Sequence, residues 1–421
     1  MKSLLLILIL FPFTKLLPLE TYNQPYAVAF ALLLLVFAPS SILRVPAADR
    51  WALTYFMMLG VAMFVWVVPR QAGARELQYL LIYITPFIIV PMALTAISSR
   101  IELARKILTL GIVVWAGVGA VQFLYDPNFL TFLVSSSTEL GSNIVDSGRG
   151  VLSLAPEPTH FGLHIIALGA SLYLLRGPTW AVALAILSSL LLARSSFALL
   201  VLALGALAWV MLSLRRWPLL LLAAGAAYFA QIVATTIFPE DSRIGRLLAV
   251  FTESGRDVLL DYSVNARLYG IYAPIAESFS GFLVPLGIHQ DDWLQLRDII
   301  LAENPQIINL STSGAASGYG IVLVQAGLLG LPAIIYFFRR ICLAKIENWQ
   351  GFIGTSGFFV FMGQLNLSTP TFSLLLAAAI YATMSKTSRQ PMQNYYPPMP
   401  RQAGQYQVPQ TGMNHQRGGP P

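Results

Sequence analysis

Cysteine is almost missing: Cys342 is alone, so the chain forms no internal disulfide and carries no thiolate metal cluster. Charge is scarce as well, at 11% of residues, against roughly 25% in a soluble domain. The four histidines, His160, His164, His289 and His415, are too scattered for a metal site. No Walker-type glycine loop is present, which removes support for nucleotide-driven chemistry. There is no Asp-x-Asp pair, Asp291 and Asp292 being adjacent, so a metal–nucleotide-sugar site is unsupported. No internal repeat argues for a transporter of two similar halves. The net charge of +7 is dispersed over short segments, which fits membrane orientation and not nucleic-acid binding.

What remains is apolar: 56% of the 421 residues are hydrophobic, and the mean hydropathy is +0.68. A helix crossing a bilayer needs about 20 mostly apolar residues. Such runs predict an all-α, polytopic integral membrane protein of about twelve spans over residues 1–385. They fall near Leu4–Leu17, Tyr26–Leu43, Trp51–Val68, Leu77–Ile97, Leu103–Tyr125 and Thr159–Leu175. The series continues with Trp180–Ala193, Phe197–Leu214, Leu219–Phe238, Gly318–Phe338, Gly351–Leu365 and Pro370–Met384. Leu4–Leu17 follows Lys2 as a signal peptide would, but no small-residue cleavage site follows, so a retained helix is expected. Residues 126–158 and 239–317 read as loops, the larger lying between helices 9 and 10. The tail 386–421, rich in Pro, Gln, Gly, Tyr and Asn, is expected to be disordered.

Trp180–Leu214 reads either as two short helices or as one interrupted helix, and the choice flips the side of everything after it. Charge arbitrates. With two helices, twelve Lys and Arg fall on the side of the N-terminus, from Lys2 and Arg44 to Arg340 and Lys345. Only Lys15, Arg70, Arg75, Arg149 and Arg194 occupy the short segments of the other side. Twelve against five obeys the positive-inside rule, so both termini are expected in the cytoplasm and both long loops outside. Sixteen of the nineteen carboxylates then lie outside.

Against that background a few ionisable residues stand apart. In SGRGVLSLAPEPTHFGLH, Arg149 occupies a Gly-flanked turn, and Glu157 sits between two prolines at a helix mouth. Pro158 restricts Glu157 to extended backbone and is well tolerated at a helix start. The helix dipole favours a carboxylate there, so Glu157 is either a reactive group or a simple cap. His160 and His164 share one helix face, where packing or hydrogen bonding is the favoured role. Arg194 interrupts LLLARSSFALL. A charge at bilayer depth costs about 2.5–3.5 kcal/mol on insertion scales. It therefore faces a cavity or partner, or it marks a hairpin turn and snorkels to the headgroups. Arg267 lies on an amphipathic stretch with Tyr269, Ile271, Tyr272, Ile275 and Phe279. Its loop, 239–317, holds ten acids and five arginines, so an anion site there must be local. Arginine suits phosphate because its planar guanidinium stays charged and binds two oxygens.

These stretches resemble motifs of the O-antigen polymerase and O-antigen ligase superfamily of bacterial membrane glycosyltransferases. GRGVLSLAPEPTHFG (Gly148 to Gly162) is similar to its Arg, Gly, Glu-Pro-Ser signature, with Thr159 in place of Ser. LLLARSSFALL is similar to its Ser-Arg-Ser/Thr segment. Asn265 to His289 resembles its Arg followed by a Gly-x-Gly turn, here Gly287-Ile288-His289. Ser313 to Phe338 resembles the helix after its large outer loop. Ligases of the group carry a His just before that helix; NLSTSGAASGYG has none, which favours a polymerase-like member.

The resemblance implies a GT-C-like fold in the bacterial inner membrane. It implies transfer of a glycan from an undecaprenyl-pyrophosphate carrier to a sugar hydroxyl, without metal, nucleotide or other cofactor. Arg149, Arg194 and Arg267 would bind the pyrophosphate; Glu157, and second His160, would act as base. The lipid-linked oligosaccharide, membrane lipid and a chain-length regulator or other assembly proteins are the implied partners. A ligase or protein glycan transferase of the same superfamily, or a transporter or flippase, is the alternative.

Overall fold

The computed structural model of the chain describes residues 1–15, 23–134, 150–213, 218, 262–308, 310–312, 314–344, 351–363 and 365–384. The expected span 219–238, Arg149 and the tail 386–421 lie outside the described residues, as does the side chain of Arg267. Among the described residues the fold is all-helical; the strand geometry consists of one isolated bridge, Thr14 to Val134.

The helices are α1 (Lys2–Leu10), α2 (Tyr26–Phe37), α3 (Ala47–Val67), α4 (Ala74–Ser99) and α5 (Ile101–Leu124). After a loop come α6 (Pro158–Leu174), α7 (Thr179–Leu187) and α8 (Ser196–Met211). Within the expected outer loop lie α9 (Tyr262–Ser280) and α10 (Gln290–Glu303). The chain ends its described part with α11 (Gly318–Ala326), α12 (Leu331–Cys342), α13 (Gly351–Phe359) and α14 (Pro370–Thr383).

Among the described residues, four stretches are long and apolar enough to cross a membrane: Ala47–Arg70, Ala74–Ser99, Ile101–Leu124 and Gly318–Cys342. Tyr26–Phe37, Thr179–Leu192, Ser196–Met211, Gly351–Met362 and Pro370–Thr383 are apolar but shorter. The fold is that of a helical membrane protein with a protein-lined interior and an apolar exterior. α6 and α14 are enclosed almost throughout by other helices. α3, by contrast, turns Trp51 and Trp66 outward, each 73% exposed. In water such a belt would be a large unburied apolar patch; in lipid it is solvated.

The expected first span, Leu4–Leu17, is shorter than its hydropathy suggests, because α1 stops at Leu10. Pro12 lacks the N–H that helix continuation needs. The chain leaves instead along Val134, with the Lys15 N–H donating to the Leu133 carbonyl at 2.6 Å.

Side-chain contacts set the helix directions. From Gly162 to Gly169, α6 meets Ser189 and then Ala185, so α7 runs antiparallel to it. From Gly354 to Gly357, α13 meets Tyr173 and then Ala170, so it too is antiparallel to α6. α8 is antiparallel to α13, since Phe197 abuts Gly363 while Gly205 abuts Ser356. α7 and α8 therefore oppose one another. The chain reverses between them, at Arg194, and the described part of Trp180–Leu214 forms two helices. Small residues at these seams let the backbones approach closely. The Thr355 hydroxyl donates to the Gly205 carbonyl at 2.5 Å across one of them.

The bundle has two distinct ends. At one, Arg340 of α12 binds buried Asp49 of α3 at 2.5 Å and Thr383 of α14 at 3.2 Å. Arg105 of α5 donates there to the Leu175 carbonyl at 2.7 Å, closing the end of α6. At the other end α10 is clamped to the α3–α4 turn. Glu76 accepts from the N–H groups of Gln290 at 3.0 Å and Gly73 at 2.8 Å. Arg70 pairs with Asp292 at 3.1 Å, and the Tyr79 hydroxyl donates to Gln290 at 2.9 Å.

Candidate functional site

The stretch before Glu157 is non-helical and buried from Gly150 to Pro156. Backbone of that kind inside an apolar bundle must find hydrogen bonds within the protein. Gln122 of α5 supplies several. Its Oε1 accepts from the Ser153 N–H at 2.6 Å, and its Nε2 donates to the carbonyls of Ser153 at 3.0 Å and Phe129 at 2.7 Å. The Ser153 hydroxyl donates to the Trp115 carbonyl at 2.7 Å. The Val151 N–H donates to Leu192 at 2.9 Å, and Gly150 lies so close to the Ala193 carbonyl that a side chain there would collide with it. The segment that follows Arg149 thus lies against the residues that precede Arg194.

Glu157 is extended, with φ −143° and ψ 153°, as a following proline requires. It occupies the N-cap position of α6, yet its carboxylate makes no capping hydrogen bond. Oε2 stands instead 4.0 Å from Nδ1 of His160, one turn on. His160 is largely enclosed, its ring edge-on to Phe13 at 5.9 Å.

His164 shares the face and also meets Phe13, at 5.6 Å, but its surroundings differ. It is completely buried. Nε2 lies 3.1 Å from the Leu10 carbonyl, which only accepts, so Nε2 carries the hydrogen. Nδ1 then accepts from the Thr371 hydroxyl at 3.0 Å. The Leu10 carbonyl, left open where α1 stops, also takes the Trp115 N–H at 2.9 Å. His164 is a cross-brace among α1, α6 and α14. Among the described residues no group of three or more His, Cys, Asp or Glu is arranged to hold a metal.

Arg194 forms the hairpin turn between α7 and α8, with left-handed backbone at φ 44°. Its guanidinium lies 4.8 Å over the Phe123 ring of α5. Next to it, Ser195 caps α8 by accepting from the Ala198 N–H at 3.3 Å. The Ser195 hydroxyl also contacts Thr159 of α6, at 3.3 Å. The second motif therefore rests on the first at the mouth of α6.

The third and fourth motifs form a second docked pair. Leu286 and Gly287 donate to the carbonyls of Val324 and Gln325, at 3.1 and 2.9 Å, while Leu328 donates to Leu283 at 2.9 Å. Gly287 has φ 89°, a conformation glycine adopts readily. α9, which carries Arg267, is held by Asn265, bonded at 2.9 Å to the Gln306 carbonyl and the Ile308 N–H. One turn beyond Arg267, the Gly270 carbonyl accepts from Ala316, beside the start of α11.

Residues 361–363 and 365–367 join the two pairs. Gly363 abuts Phe197 at the start of α8, and the Phe361 and Leu365 carbonyls crowd Gly318 at the start of α11. The starts of α6, α8, α11 and α14 thereby gather at one end of the bundle. Each helix start carries roughly half a positive charge, so this end favours an anion, with Arg194 adding a full charge.

The sequence reading missed Gln122 and the Glu76–Gln290 clamp. A lone amide within the apolar run of α5 was the available signal for the first. No protein-family model matches the chain, and no curated protein matches it.

Proposed function

We propose that the chain is a membrane polysaccharide polymerase that transfers a glycan from an undecaprenyl-pyrophosphate carrier to a sugar hydroxyl at the outer face of the bacterial inner membrane. The observation that carries the reading is the juxtaposition of Glu157 and His160 with the Arg194 turn, through the Ser195–Thr159 contact, where helix starts gather. A carboxylate beside fixed positive charge suits displacement of a pyrophosphate by a hydroxyl. The motif resemblance supplies the substrate class.

In this reading the acceptor oxygen attacks the anomeric carbon while its proton passes to the Glu157 carboxylate. The bond from that carbon to the pyrophosphate oxygen breaks, and the electron pair leaves with undecaprenyl pyrophosphate. Arg194, with Arg149 and Arg267, neutralises the developing charge, a role preorganised cations perform well away from water. His160 holds the Glu157 carboxylate in orientation. Twelve spans, a GT-C-like layout and cytoplasmic termini belong to the same reading.

The test is an assay in proteoliposomes with a lipid-linked oligosaccharide, following glycan elongation and undecaprenyl pyrophosphate release. Loss of a general base lowers the rate by about 10²–10⁴-fold, so Glu157→Gln should nearly abolish both products. Arg194→Ala, Arg149→Ala and Arg267→Ala should each impair release. Full elongation in Glu157→Gln would overturn the base assignment. Passage of the lipid-linked glycan across the bilayer without release would make the protein a flippase.

A further inference from the structure

The basic end of the bundle holds a cavity of about 410 Å³, far from Glu157 along α5 and α6. Arg105, Lys106 and Arg176 line it, with Glu102, so three cations against one carboxylate leave a net +2. Below them it is lined by Thr109, Leu110 and Val113 of α5. Lys106, Leu110 and Val113 are spaced i, i+4 and i+7 and so share one helix face. Leu110 is 63% and Val113 39% exposed, although both are apolar.

The cations are not equally available. Arg105 is committed to Glu102 and to the Leu175 carbonyl. Lys106 and Arg176 are exposed. Arg176 ends α6 with left-handed backbone at φ 58°, where glycine or asparagine is usual. Its side chain reaches the cavity.

We propose that this cavity binds the phosphate of an anionic phospholipid, with an acyl chain lying along Leu110 and Val113. A phosphodiester at the level of Lys106 and Arg176 meets two flexible cations. The chain below it has about 10 Å of exposed apolar helix before Val113, from seven residues at 1.5 Å each. Cations above an apolar wall match an amphiphile better than a soluble anion, whose apolar half would be absent. Cytoplasmic leaflets are anionic, and basic pockets between transmembrane helices on that side are suited to such headgroups.

Native mass spectrometry of the full-length protein in mild detergent tests the site, with phosphatidylglycerol, phosphatidylcholine, glycerophosphoglycerol and inorganic phosphate as separate probes. The wild type should retain phosphatidylglycerol in preference to phosphatidylcholine. Lys106→Gln with Arg176→Asn should weaken phosphatidylglycerol binding by about tenfold or more, at roughly 1 kcal/mol per cation. Asparagine keeps the left-handed turn, so the fold is preserved, which a thermal melt verifies. Leu110→Ser should weaken the lipid but not glycerophosphoglycerol. Equal retention of both phospholipids, or wild-type affinity in the double variant, would overturn the proposal. So would inorganic phosphate or glycerophosphoglycerol binding as tightly as the lipid, since the site would then be one for a soluble anion.

Discussion

The two ends of the bundle use their cations differently. At the basic end two arginines are struts between helices. Arg340 lies in the last turn of α12 and binds Asp49, and Arg105 closes the end of α6. These are the helix ends where the dipole favours a cation. At the opposite end the helix starts are satisfied by hydroxyls, Ser195 on α8 and Ser317 on α11. Arg194 stands there against the dipole, in a strained backbone, with the Phe123 ring as its contact. A left-handed non-glycine residue costs roughly 1–2 kcal/mol. A cation that costs stability and is repaid with one ring contact is a better functional candidate than one that holds two helices together.

The largest effect that contrast predicts is at Asp49. It is fully buried, accepts from Tyr336 at 2.8 Å as well as from Arg340, and ties α3 to α12. Breaking a buried pair by removing one partner costs about 3–5 kcal/mol. Arg340 retains some solvent contact, so Asp49→Asn should fall near about 3 kcal/mol. Denaturant unfolding in detergent micelles measures it. Replacing both partners by Leu and Met should recover most of the loss, because an apolar pair of similar volume strands no charge. If Asp49→Asn unfolds at the wild-type midpoint, the basic end is not held in this way and the contrast fails.

Gln122 comes next, because it links structure to the site. Its side chain is the partner of one N–H and two carbonyls in the buried approach to Glu157. Each buried group left unsatisfied costs about 1–3 kcal/mol. Gln122→Leu should therefore destabilise by about 2 kcal/mol or more and also impair transfer, since Glu157 follows that segment. Gln122→Glu keeps an acceptor for the Ser153 N–H but sets an oxygen against the Ser153 and Phe129 carbonyls, so it should not rescue. A variant fully active yet destabilised would detach the loop from the chemistry.

These residues also mark what could be read in advance. Hydrophobic runs announced a helical membrane protein, and the excess of Lys and Arg on one side favoured two helices over Trp180–Leu214, with a hairpin turn as one of the two readings left open for Arg194. The extended backbone of Glu157 followed from Pro158 alone. Side-chain partnership was not legible in this way. Nothing local says that Gln122 faces Ser153, or that α1 stops at Leu10 so that His164 and Trp115 share its carbonyl. α10 was hidden because its sequence is polar; its order comes from the clamp to Glu76, Arg70 and Tyr79.

The smallest stability change is predicted at Arg194, where the functional change should be large. An exposed cation–π contact is worth roughly 0.5–1 kcal/mol. Arg194→Gln forfeits that contact and leaves the turn in place, so its unfolding midpoint should lie close to wild type. Arg194→Lys keeps the charge but loses the planar fork that grips two phosphate oxygens. If Arg194 binds pyrophosphate in that manner, Lys should fall well below wild-type transfer while matching it in stability. If Lys is fully active, charge alone suffices. If Gln is active too, Arg194 is a surface residue that snorkels from a hairpin, and the asymmetry between the two ends is electrostatic without being catalytic. Placing Asp49→Asn and Arg194→Gln side by side separates these cases: a strut shows in the unfolding curve, whereas a ligand for the leaving group shows in the rate.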